Sequence, residues 1–148
     1  MSDTQFVNLI EAGDLQGMKL ALLSNPTLAN QSVEWFLNQS IESDPLHFVS
    51  DCVFNDWLSD KRAAEVASLL LEHGALVEGS VGRESPLIAA TSLGAEQVAS
   101  VLLASGADIE ATALFGARAL HWAASMGLTS TVRSLLDKGA DIEAKCTE

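Results

Sequence analysis

The chain has 148 residues, 48% of them apolar and 19% charged, with 20 acids against 8 bases for a net charge of −12. That apolar share belongs to a folded protein and excludes disorder. The surplus of acid argues against nucleic acid, whose affinity rests on Lys and Arg neutralising phosphate, and against anionic membrane surfaces.

Leu and Ala together supply 43 of the residues, Tyr is absent and aromatics are 5%. A core of Leu and Ala suits closely packed helices better than sheets, which favour branched and aromatic side chains. The N-terminus, Met1-Ser2-Asp3-Thr4-Gln5-Phe6, carries no basic region or leader-length apolar run. No stretch approaches the ~18 apolar residues of a membrane span. Cys52 and Cys146 form no CxxC pair. These features predict a reduced, cytoplasmic protein.

In chain order, the first unit (3–30) predicts helices over 4–12 and 15–24, parted at Gly13. Residues 27–43, with Trp35 and Phe36, are the least periodic and are assigned nothing beyond a short extra helical turn. The second unit (43–76) opens at Asp44-Pro45-Leu46-His47 and predicts helices over 45–57 and 61–73, closing at Leu70-Leu71-Glu72-His73-Gly74-Ala75. Pro45 suits a first helical position and Asp44 its N-cap. From Leu46 to Gly74 is 28 residues, against 19 in the later units, which marks an insertion around Val53–Asp60 that contains Trp57. The third unit (83–111) predicts helices over 86–93 and 95–105, with Ser85 as N-cap of the first; the fourth (116–144) predicts 119–126 and 129–138. A shift of 33 residues lays Leu102-Leu103-Ala104-Ser105-Gly106-Ala107-Asp108-Ile109-Glu110-Ala111 on Leu135-Leu136-Asp137-Lys138-Gly139-Ala140-Asp141-Ile142-Glu143-Ala144. Gly74, Gly106 and Gly139 follow Leu-rich runs and fit the left-handed position that ends a helix.

These residues resemble the ankyrin repeat: a tetrapeptide like Thr-Pro-Leu-His, a short helix with Ala-Ala, a Gly, a second helix ending Leu-Leu, then Gly-Ala-Asp. The resemblance covers nearly the whole chain and is strongest from Pro86 to Ala144. Two positions depart from it, Ala119 where the pattern has Pro and Ile88 where it has His. It implies an all-α solenoid of about four stacked helix-turn-helix units with short hairpin or turn fingers, a single domain over 1–148.

Catalytic chemistry finds little support. His47 and Cys52 lie five apart on a predicted helix, about 140° around its axis, and a Cys–His nucleophile also needs an orienting group and oxyanion donors. The pair reads as a motif His beside a buried or half-exposed Cys. His121 holds the motif His position, where the resemblance implies hydrogen bonding to the neighbouring loop backbone. His73 precedes a helix-ending Gly, where a cation complements the helix dipole. The three His have no zinc spacing, and the single, periodic glycines form no phosphate loop. Asp108/Glu110 and Asp141/Glu143 are one repeat position twice, which predicts capping and solvation. The chain is expected to be no enzyme and to hold no cofactor or metal.

Mapped on the ankyrin pattern, the variable surface falls at Ile41, Ser43, Asp51 and Cys52 in the second unit and at Val81, Glu84, Ser92 and Leu93 in the third. In the fourth it falls at Leu114, Phe115, Ala117, Ser125 and Met126. Apolar residues there mark a partner-binding candidate formed by Val81, Leu93, Leu114, Phe115, Ser125 and Met126, because contiguous exposed apolar surface and aromatic anchors characterise interfaces. Trp57 is a further candidate, either a partner anchor or a plug over the lengthened helix pair. The expected function is a protein–protein interaction scaffold that binds a partner, basic in character, through its concave face and finger tips, over about 800 Å². The alternative is a targeting or regulatory segment of a longer protein whose catalytic part lies beyond residue 148. Val132, Leu135 and Leu136 keep the internal pattern where a terminal unit carries a polar face. This predicts either a longer array, the preferred reading, or end-to-end self-association.

Overall fold

The computed structural model describes residues 1–36 and 39–147. Among the described residues, eight α-helices follow one another: α1 (Asp3–Glu11), α2 (Leu15–Ser24), α3 (Pro45–Phe54), α4 (Asp60–Glu72), α5 (Pro86–Ser92), α6 (Glu96–Ala104), α7 (Ala119–Ser125) and α8 (Thr129–Asp137). Each odd-numbered helix packs on the helix that follows it. The odd helices also pack in sequence on one another, as do the even ones, giving an inner row of α1, α3, α5 and α7 and an outer row of α2, α4, α6 and α8.

Local chemistry fixes the helix ends. Ser2 and Gln5 form a reciprocal capping box on α1, and Asp14, Ser59 and Ser85 cap α2, α4 and α5 through their side-chain oxygens. The helices α6 and α8 begin at Ala95 and Leu128, which have no side chain able to cap. Acids from the preceding helix pair cap them instead. Asp60 accepts from the Gln97 and Val98 amides at 2.8 and 3.4 Å, and Glu96 accepts from those of Ser130 and Thr131 at 3.0 and 3.3 Å. A second ladder runs between the connections, where Glu78 accepts the Asp108 N–H at 2.7 Å and Glu110 accepts the Asp141 N–H at 3.0 Å. Asp108 and Asp141 in turn accept the N–H two residues on, closing local turns in the connections. Asp60, Glu78, Glu96 and Glu110, four of the 20 acids, therefore join neighbouring helix pairs.

The core is a single cluster running the length of both rows, from Phe6, Ile10 and Met18 through Phe48, Val66 and Leu70 to Leu87, Leu102 and Leu135. Two features differ from the sequence expectation. Residues 27–43 hold the extra helical turn, a stretch of 3-10 helix over Pro26–Ala29, and also an antiparallel hairpin of β1 (Val33–Phe36) and β2 (Ser40–Ser43), with Trp35 opposite Ile41 and Val33 opposite Ser43. The helix α3 ends at Phe54, three residues short of the predicted 57. Asp56 takes a left-handed φ of 59°, and the Trp57 and Leu58 amides both turn back to the Cys52 carbonyl. That reversal lays Trp57 against Phe48 of α3 and Trp35 of β1.

Candidate functional site

The finger between α6 and α7 is a short hairpin. Thr112 bridges Arg118, the Ala113 N–H donates to the Ala117 carbonyl at 2.7 Å, and Leu114–Gly116 form the turn. Phe115 sits at φ 61°, a left-handed conformation that disfavours a bulky side chain by about 1 kcal/mol. The Thr147 N–H donates to its carbonyl at 2.7 Å, which ties the chain past Ala144 to the turn. At the base, the Arg118 guanidinium reaches Glu110 at 3.1 Å and Asp141 at 3.6 Å. The base is thus braced by charge, while the tip displays Leu114 at 82% and Phe115 at 66% exposure.

Of the other predicted residues, Met126 is exposed at the end of α7 and Ser125 is exposed beside it. A Cβ added to Gly94 would lie 3.3 Å from the Met126 methyl, so Met126 rests on the Leu93–Gly94 turn. Leu93 itself is only half-buried. Val81 stands fully exposed on the preceding connection. Trp57 belongs to none of these. Its ring meets Trp35 edge-on at 5.7 Å and Phe48 at 6.3 Å. Three expected surface residues are internal: Cys52, Ser43 and Ala117 are buried. Cys52 packs in the core, and Ser43 accepts the Trp35 indole N–H at 3.1 Å.

The connection before α5 and the hairpin enclose a groove that spacing alone did not reveal. It has a volume of about 390 Å³ and is lined by Trp35, Ile41, Glu42, Ser43, His47, Asp51, Arg83 and Glu84. His47 and Asp51 are one helical turn apart, with Nε2 and Oδ2 separated by 3.8 Å. Burial pushes the Asp51 carboxyl up to about 6; His47 opposes that rise and Glu84 adds to it.

Nucleophilic chemistry is disfavoured at Cys52, whose thiol is pushed well up by burial, with the Glu11 and Asp51 charges adding. His121 is committed on both sides: its Nδ1 accepts the Arg118 N–H at 3.0 Å and its Nε2–H donates to the Ala144 carbonyl at 3.0 Å, the loop-backbone role expected of it. Among the described residues no three His, Cys, Asp or Glu side chains converge to hold a metal, and no helix is long and apolar enough to cross a membrane.

Residues 115–147 match the family model described as Ankyrin repeat. The matched segment contains Phe115, Ser125 and Met126, the inner helix α7 and the outer helix α8. Comparison with curated proteins gives no match.

Proposed function

We propose that this chain, whose residues 115–147 match the ankyrin-repeat family model, is an ankyrin-repeat scaffold which captures a protein partner through its concave face and finger tips. Ankyrin repeats are generally protein–protein interaction modules and typically non-catalytic. In this reading the chain is a solenoid of four units near 3–30, 43–76, 83–111 and 116–144, and it works in the cytoplasm. One observation carries the proposal. The finger at 112–118 is braced at its base by ion pairs, yet it displays two large apolar side chains, one on a left-handed backbone. Such a tip gains nothing for the isolated chain and suits an apolar pocket on a partner. Leu93, Ser125 and Met126 extend the surface along the inner row, with Val81 on the next connection. Trp57, packed on Trp35 and Phe48, serves as the plug.

The test is recovery of partners from native cell extract by the immobilised chain and by variants. Recovery should fall with Phe115→Ala, Leu114→Ser and Met126→Ser, and persist with an exposed control such as Lys138→Ser. Equal recovery by all of them contradicts the site.

A specific observation favours a second reading, end-to-end self-association. An apolar groove of about 290 Å³ on the outer side of α7 and α8 is lined by Leu120, Val132, Leu136 and Ile142. Another, of about 480 Å³ beside α1 and α2, is lined by Leu9, Leu20, Ala21 and Leu28. Sedimentation over a concentration series tests this, and a constant monomer mass rejects it.

A further inference from the structure

The groove between the hairpin and α3 is the least explained feature of the molecule. Its base is apolar, formed by Trp35 and Ile41, which face one another across β1 and β2. Besides Glu42 of β2, which Arg83 pairs, two carboxylates line it from different segments: Asp51 from α3 and Glu84 from the connection before α5.

The cations nearby do not answer them. Arg83 also lines the groove, but it clamps β2. Its Nη1 donates to the Glu42 carbonyl at 2.8 Å, and its Nη2 reaches the Glu42 carboxylate at 3.3 Å and the Ser32 hydroxyl at 3.3 Å. Among the described residues, the ion-pair neighbour of Asp51 is His47 at 3.8 Å, beyond hydrogen-bond reach, and Glu84 has none. A half-desolvated carboxylate and a like charge beside it therefore sit over an apolar base with no strong cation between them. That arrangement is unfavourable in the free chain and complementary to a cation with an aliphatic stem.

We propose that this groove is a binding site for an arginine or lysine side chain of a partner protein, with the stem on Trp35 and Ile41 and the cationic head between Asp51 and Glu84. The proposal deepens the scaffold reading and rests on it for the source of the side chain. Electrostatic complementarity of this kind selects partners and speeds encounter. The charged and titratable groups facing Asp51 are His47 on its own helix, Glu84 and Arg83 on the connection before α5, and Glu42 on β2. Burial holds Asp51 near 6, so a bound cation draws its proton off, and binding strengthens as pH rises through that value.

Nα-acetyl-arginine amide and Nα-acetyl-lysine amide are the probes, titrated into the isotope-labelled chain and followed by NMR, with Nα-acetyl-citrulline amide as the uncharged isostere. The expected result is saturable shifts at the Trp35 indole N–H and at the Ile41–Ser43, Asp51 and Glu84 amides for at least one cationic probe. In the Asp51→Asn/Glu84→Gln variant the apparent affinity should fall at least about tenfold. Equal shifts with the citrulline probe, shifts spread over the whole acidic surface, or unchanged titration of the variant each overturn the proposal. The measurement needs no partner. It therefore fails independently of extract capture through Phe115, and Phe115→Ala should leave it unaltered.

Discussion

Asp44 and Ser80 are joined twice: one carboxylate oxygen of Asp44 accepts the Ser80 backbone N–H at 2.7 Å and the other accepts the Ser80 hydroxyl at 2.6 Å. Position suggests that Asp44 caps α3, yet its side chain makes no capping bond there and instead fastens the start of that helix to the connection before α5. The approach is close: a Cβ on Gly79, which sits at φ 68°, would lie 2.8 Å from the Asp44 carboxylate. Asp44→Ala removes two charge-assisted bonds and should lower stability by about 2 kcal/mol. Denaturant unfolding checks this, and a loss no larger than that of an exposed Asp→Ala control contradicts it.

Asp51 sets a pH dependence. The folded chain holds its proton to about pH 6 against an ordinary value of 3.8, so ionised Asp51 opposes folding. That opposition is absent below the unfolded-state value, grows between about pH 4 and 6 and is full above it. The sensitive window is where Asp51→Asn should diverge from the parent, becoming more stable by about 1–3 kcal/mol at pH 7 and equal near pH 3. Parallel pH–stability curves for the two proteins contradict this assignment.

Glu96 is the cap of a helix in the next pair. Glu96→Ala leaves the Ser130 and Thr131 amides without their acceptor and should cost about 1 kcal/mol. Amide exchange localises the effect. Protection should fall first in α8 and least in α2, whereas uniform loss argues against inter-pair capping.

Trp57 as a plug has its own signature. Trp57→Ala removes edge contacts to Trp35 and Phe48 and should lower stability by about 2 kcal/mol. The near-ultraviolet dichroism should change while partner recovery from extract stays near the parent level. Lost recovery from a folded variant would make Trp57 an anchor instead.

The helices were legible in the sequence where a start residue such as Pro45 or Ser85, or a glycine that takes positive φ such as Gly74, Gly106 or Gly139, marks at least one end. The hairpin was not. Val33–Phe36 and Ser40–Ser43 are four residues each, too short for alternation to stand above chance, and Trp35 is buried by helices distant in sequence. The early end of α3 escaped notice because it rests on Asp56 adopting a left-handed backbone without being glycine. Phe115 and Val81 are exposed, as the repeat pattern implies, whereas Cys52, Ser43 and Ala117 are buried, because such small side chains fit equally well in a core. The groove brings together Ile41, Asp51 and Glu84 from three segments, and no local pattern announces such a meeting.

The central claim, that the tip at Leu114 and Phe115 exists to bind, is tested most directly by Phe115→Gly. Glycine accepts a φ of 61° without strain, so stability should stay within about 0.5 kcal/mol of the parent. Affinity for the protein captured by the parent chain, measured by calorimetry, should fall at least about tenfold. Undiminished affinity in a variant of unchanged stability would contradict the account.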